Sequence, residues 1–188
     1  MNRHTIESVS LLFKFTFFNR FTLTRIGLIS DTHSYLDEAV FTHFKDYDEI
    51  WHGGDFGSME IIKALAAFKP LRGVYGNIDN NEIQRLYPEN CFFTCEQVKV
   101  FIRHIGGYPG RYAAGVKDLI RSNGSNLFIS GHSHILKIVF DDSLNCLHMN
   151  PGAAGFQGWH KMRTIIRFTI DGKNMKDCEV IELGARGT

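Results

Sequence analysis

The stretch IGLISDTH, residues 26–33, decides the fold of this chain. Its first half is a short apolar run typical of a buried strand, and polar residues begin at Ser30. Apolar residues then recur at helical spacing over residues 36–44. The segment therefore predicts a strand, a polar loop and a helix, in that order.

The same unit recurs downstream. The run 49–52 ends at Gly-Gly-Asp, residues 53–55, and the apolar residues within 59–66 predict a second helix. A third strand is predicted over 71–75 and ends at Gly76-Asn77. Strands that alternate with helices in this way are typical of an α/β protein.

The second half of the chain predicts mostly strands. A loop is predicted over 106–110, and a helix follows over about 112–121. The strand 127–129 ends at Gly-His-Ser-His, residues 131–134. Further strands are predicted over 92–93, 98–102, 135–140, 146–149, 164–170 and 176–181. The whole pattern predicts an α/β fold in which two mixed β-sheets face each other and helices flank them.

The composition is that of one globular domain. The chain has 188 residues, 44% hydrophobic and 22% charged, which suits one substantial core rather than two ordinary domains. The formal net charge is +1, from 21 Lys and Arg against 20 Asp and Glu, so no overall field favours nucleic acid or an anionic membrane. The four cysteines form no C-x-x-C pair, which favours reduced thiols in a cytoplasmic protein.

The first 24 residues carry no motif and are interpreted as an N-terminal extension to a single domain over 25–188. The apolar run 11–18 superficially resembles a signal peptide, but Lys14 interrupts it, and Asn19-Arg20 follows where small residues should precede a cleavage site. The run is also too short to span a bilayer. An added strand, an amphipathic helix and an extension from an upstream start codon all remain open.

Polar clusters stand at five of the predicted strand ends. They are Asp31-Thr32-His33, Gly53-Gly54-Asp55, Gly76-Asn77, His104 and Gly131-His132-Ser133-His134. Ligands of open α/β sheets bind beyond the carboxyl ends of the strands, so these residues are expected to meet at one edge. Carboxylates, imidazoles and an amide oxygen suit Zn, Mn or Fe. Alone, Asp-x-His is typical of a helix cap or a turn, Gly-Asn of a turn, and His104 of a strand histidine, but all five together predict a metal site.

The clusters match D-x-H, G-D, G-N, H and G-H-x-H in that order, and from about residue 25 onward the chain resembles the calcineurin-like metallophosphoesterase superfamily. His-Gly-Gly-Asp at 52–55, Gly-Asn-Ile-Asp at 76–79 and Asn-Pro-Gly at 150–152 look most like its small bacterial and archaeal phosphodiesterase branch. That branch is related to a eukaryotic retromer subunit. The resemblance implies the four-layer α/β/β/α fold of the family.

The resemblance also implies a role for each ligand. One ion is expected on Asp31, His33 and His134, a second on Asn77, His104 and His132, with Asp55 bridging both. Both ions are expected to be divalent, with Mn²⁺ favoured and Fe, Zn or Ni as alternatives. Such a pair holds a hydroxide for in-line attack on a phosphate ester. The implied function is a phosphoesterase that favours diesters over monoesters, and a non-catalytic interaction scaffold of the same fold is the alternative.

The two residues after Asn77 need separate treatment. Ile78 stands where larger relatives of the superfamily carry a histidine, so the sequence identifies no proton donor for the leaving group. Asp79 has two candidate roles: it orients a ligand histidine, or it caps a turn.

The expected substrate is a small phosphate ester, and a nucleotide-like one is an option. Arg111, Lys161 and Arg163 are candidates for contact with a phosphate, and Tyr108 and Trp159 for stacking on a ring. Exposed charge and loop packing are the alternative roles of these five residues. Neither a membrane nor a nucleic acid is expected as a partner, and the oligomeric state is left open.

Overall fold

The computed structural model describes residues 23–187, which contain twelve strands and four helices. The strands are β1 (Thr24–Ile29), β2 (Glu49–His52), β3 (Leu71–Gly73), β4 (Asn90–Cys95), β5 (Val98–Arg103), β6 (Gly107–Tyr108), β7 (Arg111–Tyr112), β8 (Leu127–Ile129), β9 (Lys137–Asp141), β10 (Cys146–Asn150), β11 (Met162–Asp171) and β12 (Asn174–Ala185). The helices are α1 (Glu38–Phe44), α2 (Met59–Phe68), α3 (Asn81–Leu86) and α4 (Val116–Asn123).

Most of these strands form two five-stranded sheets. The first sheet has the order β12-β11-β1-β2-β3; its strands β1, β2 and β3 are parallel, while β11 is antiparallel to both β1 and β12. The second sheet has the order β4-β5-β8-β10-β9, with three parallel central strands and an antiparallel strand at each edge. β6 and β7 form a separate hairpin. Both sheets are therefore mixed, which confirms the predicted class.

The main core lies between the two sheets. Ile26 and Leu28 of β1 point into it beside Trp51 of β2, and Ile102 and Leu127 of the second sheet meet them. All five side chains are fully buried. Each large apolar side chain contributes roughly 1.5–3 kcal/mol when it is fully buried, so this layer holds the two sheets together.

Helices cover the outer face of each sheet. On the first sheet, Ile50 of β2 packs with Phe44 of α1 and Leu65 of α2. On the second sheet, Phe128 of β8 packs with Ile120 of α4. Successive side chains of a strand point to opposite faces, which is why each sheet can serve two cores. The layers are helix, sheet, sheet and helix, as the family resemblance implies.

Two local predictions are wrong. The helix predicted from about residue 112 begins at Val116, because Arg111–Tyr112 pairs with Gly107–Tyr108 as a hairpin where a loop is predicted. The helix Asn81–Leu86 has no counterpart in the sequence prediction, since six residues are too short for a clear period. It begins at Asn80, whose side chain accepts two backbone N–H groups at 3.1 Å.

The first strand of the described structure is tied to the turn between β4 and β5. β1 begins at Thr24, whose hydroxyl donates to Glu96 at 2.7 Å. The predicted N-terminal extension lies outside the described residues, apart from positions 23 and 24. Within residues 23–187, no helix has both the length and the hydropathy to cross a bilayer.

Gly27 of β1 lets α1 pack closely on the first sheet. A Cβ atom at position 27 would lie 2.6 Å from the ring of Phe44. We expect Gly27→Ala to lower the free energy of unfolding by about 1–3 kcal/mol, the usual effect of overpacking a core, as measured by urea denaturation. Together with Phe44→Leu it should cost less than the sum of the two single changes, because the smaller side chain leaves room for the methyl group. An unchanged midpoint in Gly27→Ala would contradict this packing.

Candidate metal centre

The predicted ligands come together where both sheets end. They follow β1, β2, β3, β5 and β8, and in that order they are Asp31 and His33, Asp55, Asn77, His104, and His132 and His134. Since β1 to β3 belong to the first sheet and β5 and β8 to the second, the loops of both sheets build one site.

Four of these residues form a compact set of donor atoms. Nε2 of His134 lies 3.1 Å from Oδ1 of Asp31 and 3.2 Å from Nε2 of His33. One donor atom from each of Asp31, His33, Asp55 and His134 lies within 4.8 Å of the others. Asp31 is fully buried and Asp55 is 2% exposed. Burial distinguishes this set, which we call the inner set, from an ordinary acidic patch on a surface.

The remaining three ligands form an outer set beside it. Nε2 of His104 lies 3.2 Å from Oδ1 of Asn77. The ring of His132 lies 5.3 Å from the ring of His104, measured between centres. Asn77 and His132 are exposed, whereas His104 is buried. The outer set is therefore the side of the site that an incoming ligand meets.

Asp55 lies between the two sets. Its Oδ2 atom is 3.6 Å from Nε2 of His33 in the inner set and 3.2 Å from Nε2 of His104 in the outer set. Its Oδ1 atom accepts the backbone N–H of Ile78 at 3.0 Å. That hydrogen bond fixes the carboxylate so that one oxygen faces both sets.

The donor distances fit divalent metal ions. Around an ion bound at about 2.0–2.2 Å, neighbouring nitrogen and oxygen ligands lie roughly 3 Å apart. The shortest contacts within the site, between 3.1 and 3.2 Å, have this spacing. Carboxylates, imidazoles and an amide oxygen are also the donors of known divalent sites. The residues present are therefore suited to hold divalent metal.

A backbone contact orients His104 for this role. Its Nδ1 atom donates to the carbonyl of Gly53 at 2.8 Å, which leaves the lone pair of Nε2 free for a metal. Burial lowers the pKa of His104, but the carboxylates of Asp55 and Asp31 outweigh burial and raise it above its usual value. The pKa of His134 is likewise raised by Asp31 against the effect of burial. Metal binding must displace the protons that these two rings attract.

Two further members of the inner set, His33 and Asp55, are already in the state that a metal requires. Burial lowers the pKa of His33 below its usual value, in spite of the carboxylates nearby. Burial acts to raise the pKa of Asp55, but the hydrogen bond and charge of His104 hold it below its usual value. A neutral imidazole and an ionised carboxylate are the forms that bind metals.

Asp79 ties two of the site loops together. Its carboxylate accepts the backbone N–H groups of Phe56 at 3.2 Å, Gly57 at 2.7 Å and Gly76 at 2.8 Å. The loop after β2 is thereby joined to the loop after β3. Of the three bonds, only the one from Gly76 lies within a turn, and none of the hydrogen bonds described for Asp79 involves a histidine. The group is 3% exposed.

His52 joins the loops after β1 and β2. It is fully buried and stacks on Phe56, with ring centres 3.7 Å apart. Its Nδ1 atom accepts the N–H of Gly54 at 3.1 Å, so the proton is on Nε2, which donates to the hydroxyl of Thr32 at 3.1 Å. Burial lowers its pKa to about 3 and keeps it neutral.

Asn150 holds the loop after β8. Its side-chain amide donates to the carbonyl of Gly131 at 2.8 Å and to the hydroxyl of Ser133 at 3.2 Å. The same loop is tied to the inner set, because the backbone N–H of His132 donates to both carboxylate oxygens of Asp31 at 3.2 Å. The asparagine of the Asn-Pro-Gly motif thus positions the loop that carries His132 and His134.

The backbone of the predicted ligands is unusual. φ is +53° at Asp31, +47° at His33, +57° at Asp55, +66° at His132 and +57° at His134. Residues other than glycine rarely adopt this left-handed conformation, which costs of order 1–3 kcal/mol each. Strain gathered on five ligands of one site indicates that the side chains are kept for their function.

One of the candidate substrate contacts is wrong. Arg163 is 6% exposed and forms an ion pair with Asp37 at 2.9 Å. It also donates to the carbonyl of Leu183 at 2.6 Å and lies 4.4 Å from the centre of the Phe156 ring. Because these groups engage its guanidinium, Arg163 stabilises the fold and does not reach out to a phosphate.

The other four candidates remain predictions. Arg111 and Lys161 are exposed, and Trp159 is 98% exposed. Tyr108 is half-buried, with the ammonium of Lys137 at 3.7 Å from its ring centre. No contact described for these four residues reaches the donor set.

Two recesses flank the donor set. The larger recess has a volume of about 300 Å³ and is lined by Asn77, His104 and Tyr75, among others. The smaller recess has a volume of about 150 Å³ and is lined by His132 and Lys137, among others. Both open beside the outer set, so a ligand bound there has room on two sides.

Residues 24–173 match the family model of the calcineurin-like phosphoesterase superfamily domain. The chain belongs to this superfamily. Membership confirms the resemblance drawn from the five motifs, and it agrees with the four-layer fold and with the metal-suited residues at its edge.

Known relatives lead to the same family. A probable metallophosphoesterase of Methanothermobacter thermautotrophicus is 31% identical over 165 residues, which are 85% of this chain and 93% of that protein. Among solved structures, an archaeal phosphodiesterase is similar with a TM-score of 0.67 at 24% identity, covering 85% of this chain and 100% of the other. Vps29 from Chaetomium thermophilum is similar with a TM-score of 0.68 at 13% identity, covering 86% and 99%. Both solved structures share the fold of this chain.

We expect Asp79→Ala to destabilise the protein and to weaken metal binding. The change leaves three backbone N–H groups without their acceptor, and each such group costs about 1–3 kcal/mol when it stays buried. Urea denaturation should show a loss of at least about 2 kcal/mol, and Mn²⁺ titration should show affinity about 10–100-fold lower, as for other outer contacts of metal sites. Asp118→Ala, an exposed position on α4, is the matched control. Unchanged stability in Asp79→Ala would refute the role as a loop tether.

Proposed function

We propose that this chain is a phosphodiesterase that works with two divalent metal ions. The observation that carries the proposal is the position of Asp55, whose Oδ2 atom lies within 3.6 Å of Nε2 of His33 and 3.2 Å of Nε2 of His104. One ion would be held by Asp31, His33 and His134, the other by Asn77, His104 and His132, and both by Asp55.

The donor types favour Mn²⁺. Oxygen donors suit Mn, and imidazoles suit Zn, Fe and Ni. The site combines the carboxylates of Asp31 and Asp55 and the amide of Asn77 with its histidines, and it contains no thiolate among the described donors. A mixed set of this kind accepts Mn²⁺ readily while leaving Fe, Zn and Ni as competitors.

The charge of the site suits an anionic ester. When bound, two divalent ions supply Lewis acidity and lower the pKa of water. They carry four positive charges, and the carboxylates of Asp31 and Asp55 return two negative ones, so the loaded site keeps a charge of about +2. Since the imidazoles and the Asn77 amide add none, this excess attracts phosphate.

The shape of the site favours a diester. A phosphodiester carries two organic groups on phosphorus, and two recesses adjoin the outer set, the larger lined by Asn77 and His104 and the smaller by His132. A diester also has one negative charge fewer than a monoester dianion, so it needs less neutralisation. Tyr75 in the larger recess offers a ring against which a nucleoside or another aromatic group can pack.

A cytoplasmic location agrees with the state of the thiols. Within the described part of the chain, Cys91, Cys95, Cys146 and Cys178 are all free. Burial raises the pKa of Cys146 to about 12, so that thiol is inert. Free thiols persist in a reducing compartment, and we propose the cytoplasm as that compartment.

A non-catalytic scaffold is the second candidate, because Vps29 shares the fold. The donor set argues against it. A scaffold needs no buried carboxylates and no left-handed backbone at His33, His132 and His134, whereas a metal centre needs both groups of ligands in fixed positions.

Replacing Asp55 tests the shared carboxylate. We expect Asp55→Asn to lower Mn²⁺ affinity at least about 100-fold, since even the loss of an outer contact costs 10–100-fold. Isothermal titration should show two ions per chain in the natural protein and less than one in the variant. Asp118→Asn on the exposed face of α4 should behave like the natural protein. If Asp55→Asn still binds two ions at natural affinity, the shared role is wrong.

Ile78 predicts how turnover depends on the leaving group. Its side chain is 44% exposed and cannot donate a proton. Without a general acid, which contributes typically ~10²–10⁴-fold, turnover should rise steeply with leaving-group acidity across a series of aryl and alkyl diesters. We expect Ile78→His to flatten this dependence by raising turnover of the poorest leaving groups. Nitrophenyl esters should change little, because they leave readily as anions.

The control is Leu86→His, which places a histidine on α3 at a position that is 58% exposed. A flat dependence in the natural protein would overturn the prediction and point to another donor. The carboxylate of Asp79 accepts three backbone N–H groups and is engaged. His160, whose ring lies 5.3 Å from that of His134, would then be the residue to replace.

A further inference from the structure

β9 exposes a run of large apolar side chains. Ile138 is 41%, Val139 37% and Phe140 49% exposed, and Ile135 and Leu136 before them are 61% and 38% exposed. Single exposed apolar residues are ordinary, but contiguous ones mark surfaces that bind another molecule. The run lies outside the donor set, and of its five residues only Ile135 lines a recess that the proposed function uses.

β9 is also an edge strand of the second sheet. It pairs with β10 on one side, and no strand within residues 23–187 pairs with its other side. An edge strand presents unpaired N–H and C=O groups, and proteins usually protect it with charges. β12, at the edge of the first sheet, has such protection in the exposed Lys176, Asp177 and Glu179. The middle of β9, residues 138–140, has no charged side chain.

The sequence of β9, KIVFD, complements itself in antiparallel pairing. If Val139 lies on a two-fold axis, Lys137 stands opposite the second copy's Asp141, and Ile138 stands opposite its Phe140. Opposite charges and apolar pairs directly across a ladder each contribute roughly 0.2–1 kcal/mol. A contact of this kind uses the same patch on both copies, so the assembly is a closed dimer.

Two tyrosines of the β6–β7 hairpin contact the charged side chains of Lys137 and Asp141. The ammonium of Lys137 lies 3.7 Å from the ring centre of Tyr108. The carboxylate of Asp141 accepts the hydroxyl of Tyr112 at 2.8 Å. Residues four apart on a strand point to the same face, so both charges lie on the hairpin side of β9, where they can meet their counterparts.

We propose that two copies of this chain pair through β9, antiparallel about Val139, so that the second sheet of one copy continues into that of the other. The inference is independent of the proposed chemistry. Because Ile135 and Lys137 also line the smaller recess, the second copy lies next to that recess in the dimer.

The first test is the mass in solution, by light scattering on the full chain over a range of concentrations. We expect the natural protein to have twice the chain mass of 21.4 kDa. Val139→Lys should raise the dissociation constant by about fivefold, since it replaces an apolar pair on the axis with two like charges face to face. Val180→Lys is the matched control, because Val180 is 40% exposed on the edge strand β12. A monomeric natural protein, or equal dimerisation of both variants, would overturn the proposal.

Charge reversal tests the register. Lys137→Asp and Asp141→Lys should each weaken the dimer, because each change sets like charges opposite one another across the axis. The double variant Lys137→Asp with Asp141→Lys should recover much of the affinity. Unfolding midpoints measured alongside separate a weaker interface from a weaker fold. A dimer that all three variants form as tightly as the natural protein does would exclude pairing through β9, and failure of the double variant to recover would exclude this register.

Discussion

The burial of two carboxylates is the constraint on which the rest of the structure depends. Asp31 is fully buried and Asp55 is 2% exposed, and an unpaired charge in such a place costs several kcal/mol. Imidazoles supply the compensation, with Nε2 of His134 at 3.1 Å from Asp31 and Nε2 of His104 at 3.2 Å from Asp55. Divalent ions would replace the protons of those rings, so metal binding and stability of the fold are coupled.

Hydrogen bonds between loops keep the carboxylates and imidazoles in these positions. The tethers are Asp79, His52 and Asn150, each of which bonds to backbone groups of a loop that carries ligands. They hold five ligands in left-handed backbone that isolated loops would not keep. The sheets supply a rigid edge, and the tethers position the loops along that edge. The side chains of the predicted ligands therefore remain available to bind metal ions.

The sequence predicts that the candidate ligands lie at one edge of the sheets, where the structure has them, but it does not predict the tethers, for a physical reason. Ligands such as Asp31 follow buried strands, whose period shows in the sequence, and their order matches a known family. The contacts of Asp79 and His52 join residues that are 20 or more positions apart in the chain, so no local pattern reveals them. Arg163 was open to two interpretations, since only the packing shows that Asp37 and Leu183 engage it. The hairpin at Tyr112 replaces a predicted helix start for the same reason.

The central claim is that Asp55 serves two ions at once. The most direct measurement is anomalous X-ray diffraction from crystals grown with Mn²⁺. The account predicts two peaks about 3.5–4 Å apart, one beside Asp31, His33 and His134 and one beside Asn77, His104 and His132, with Asp55 within coordination distance of both. A single peak at full occupancy, or two peaks of which only one is near Asp55, would contradict it.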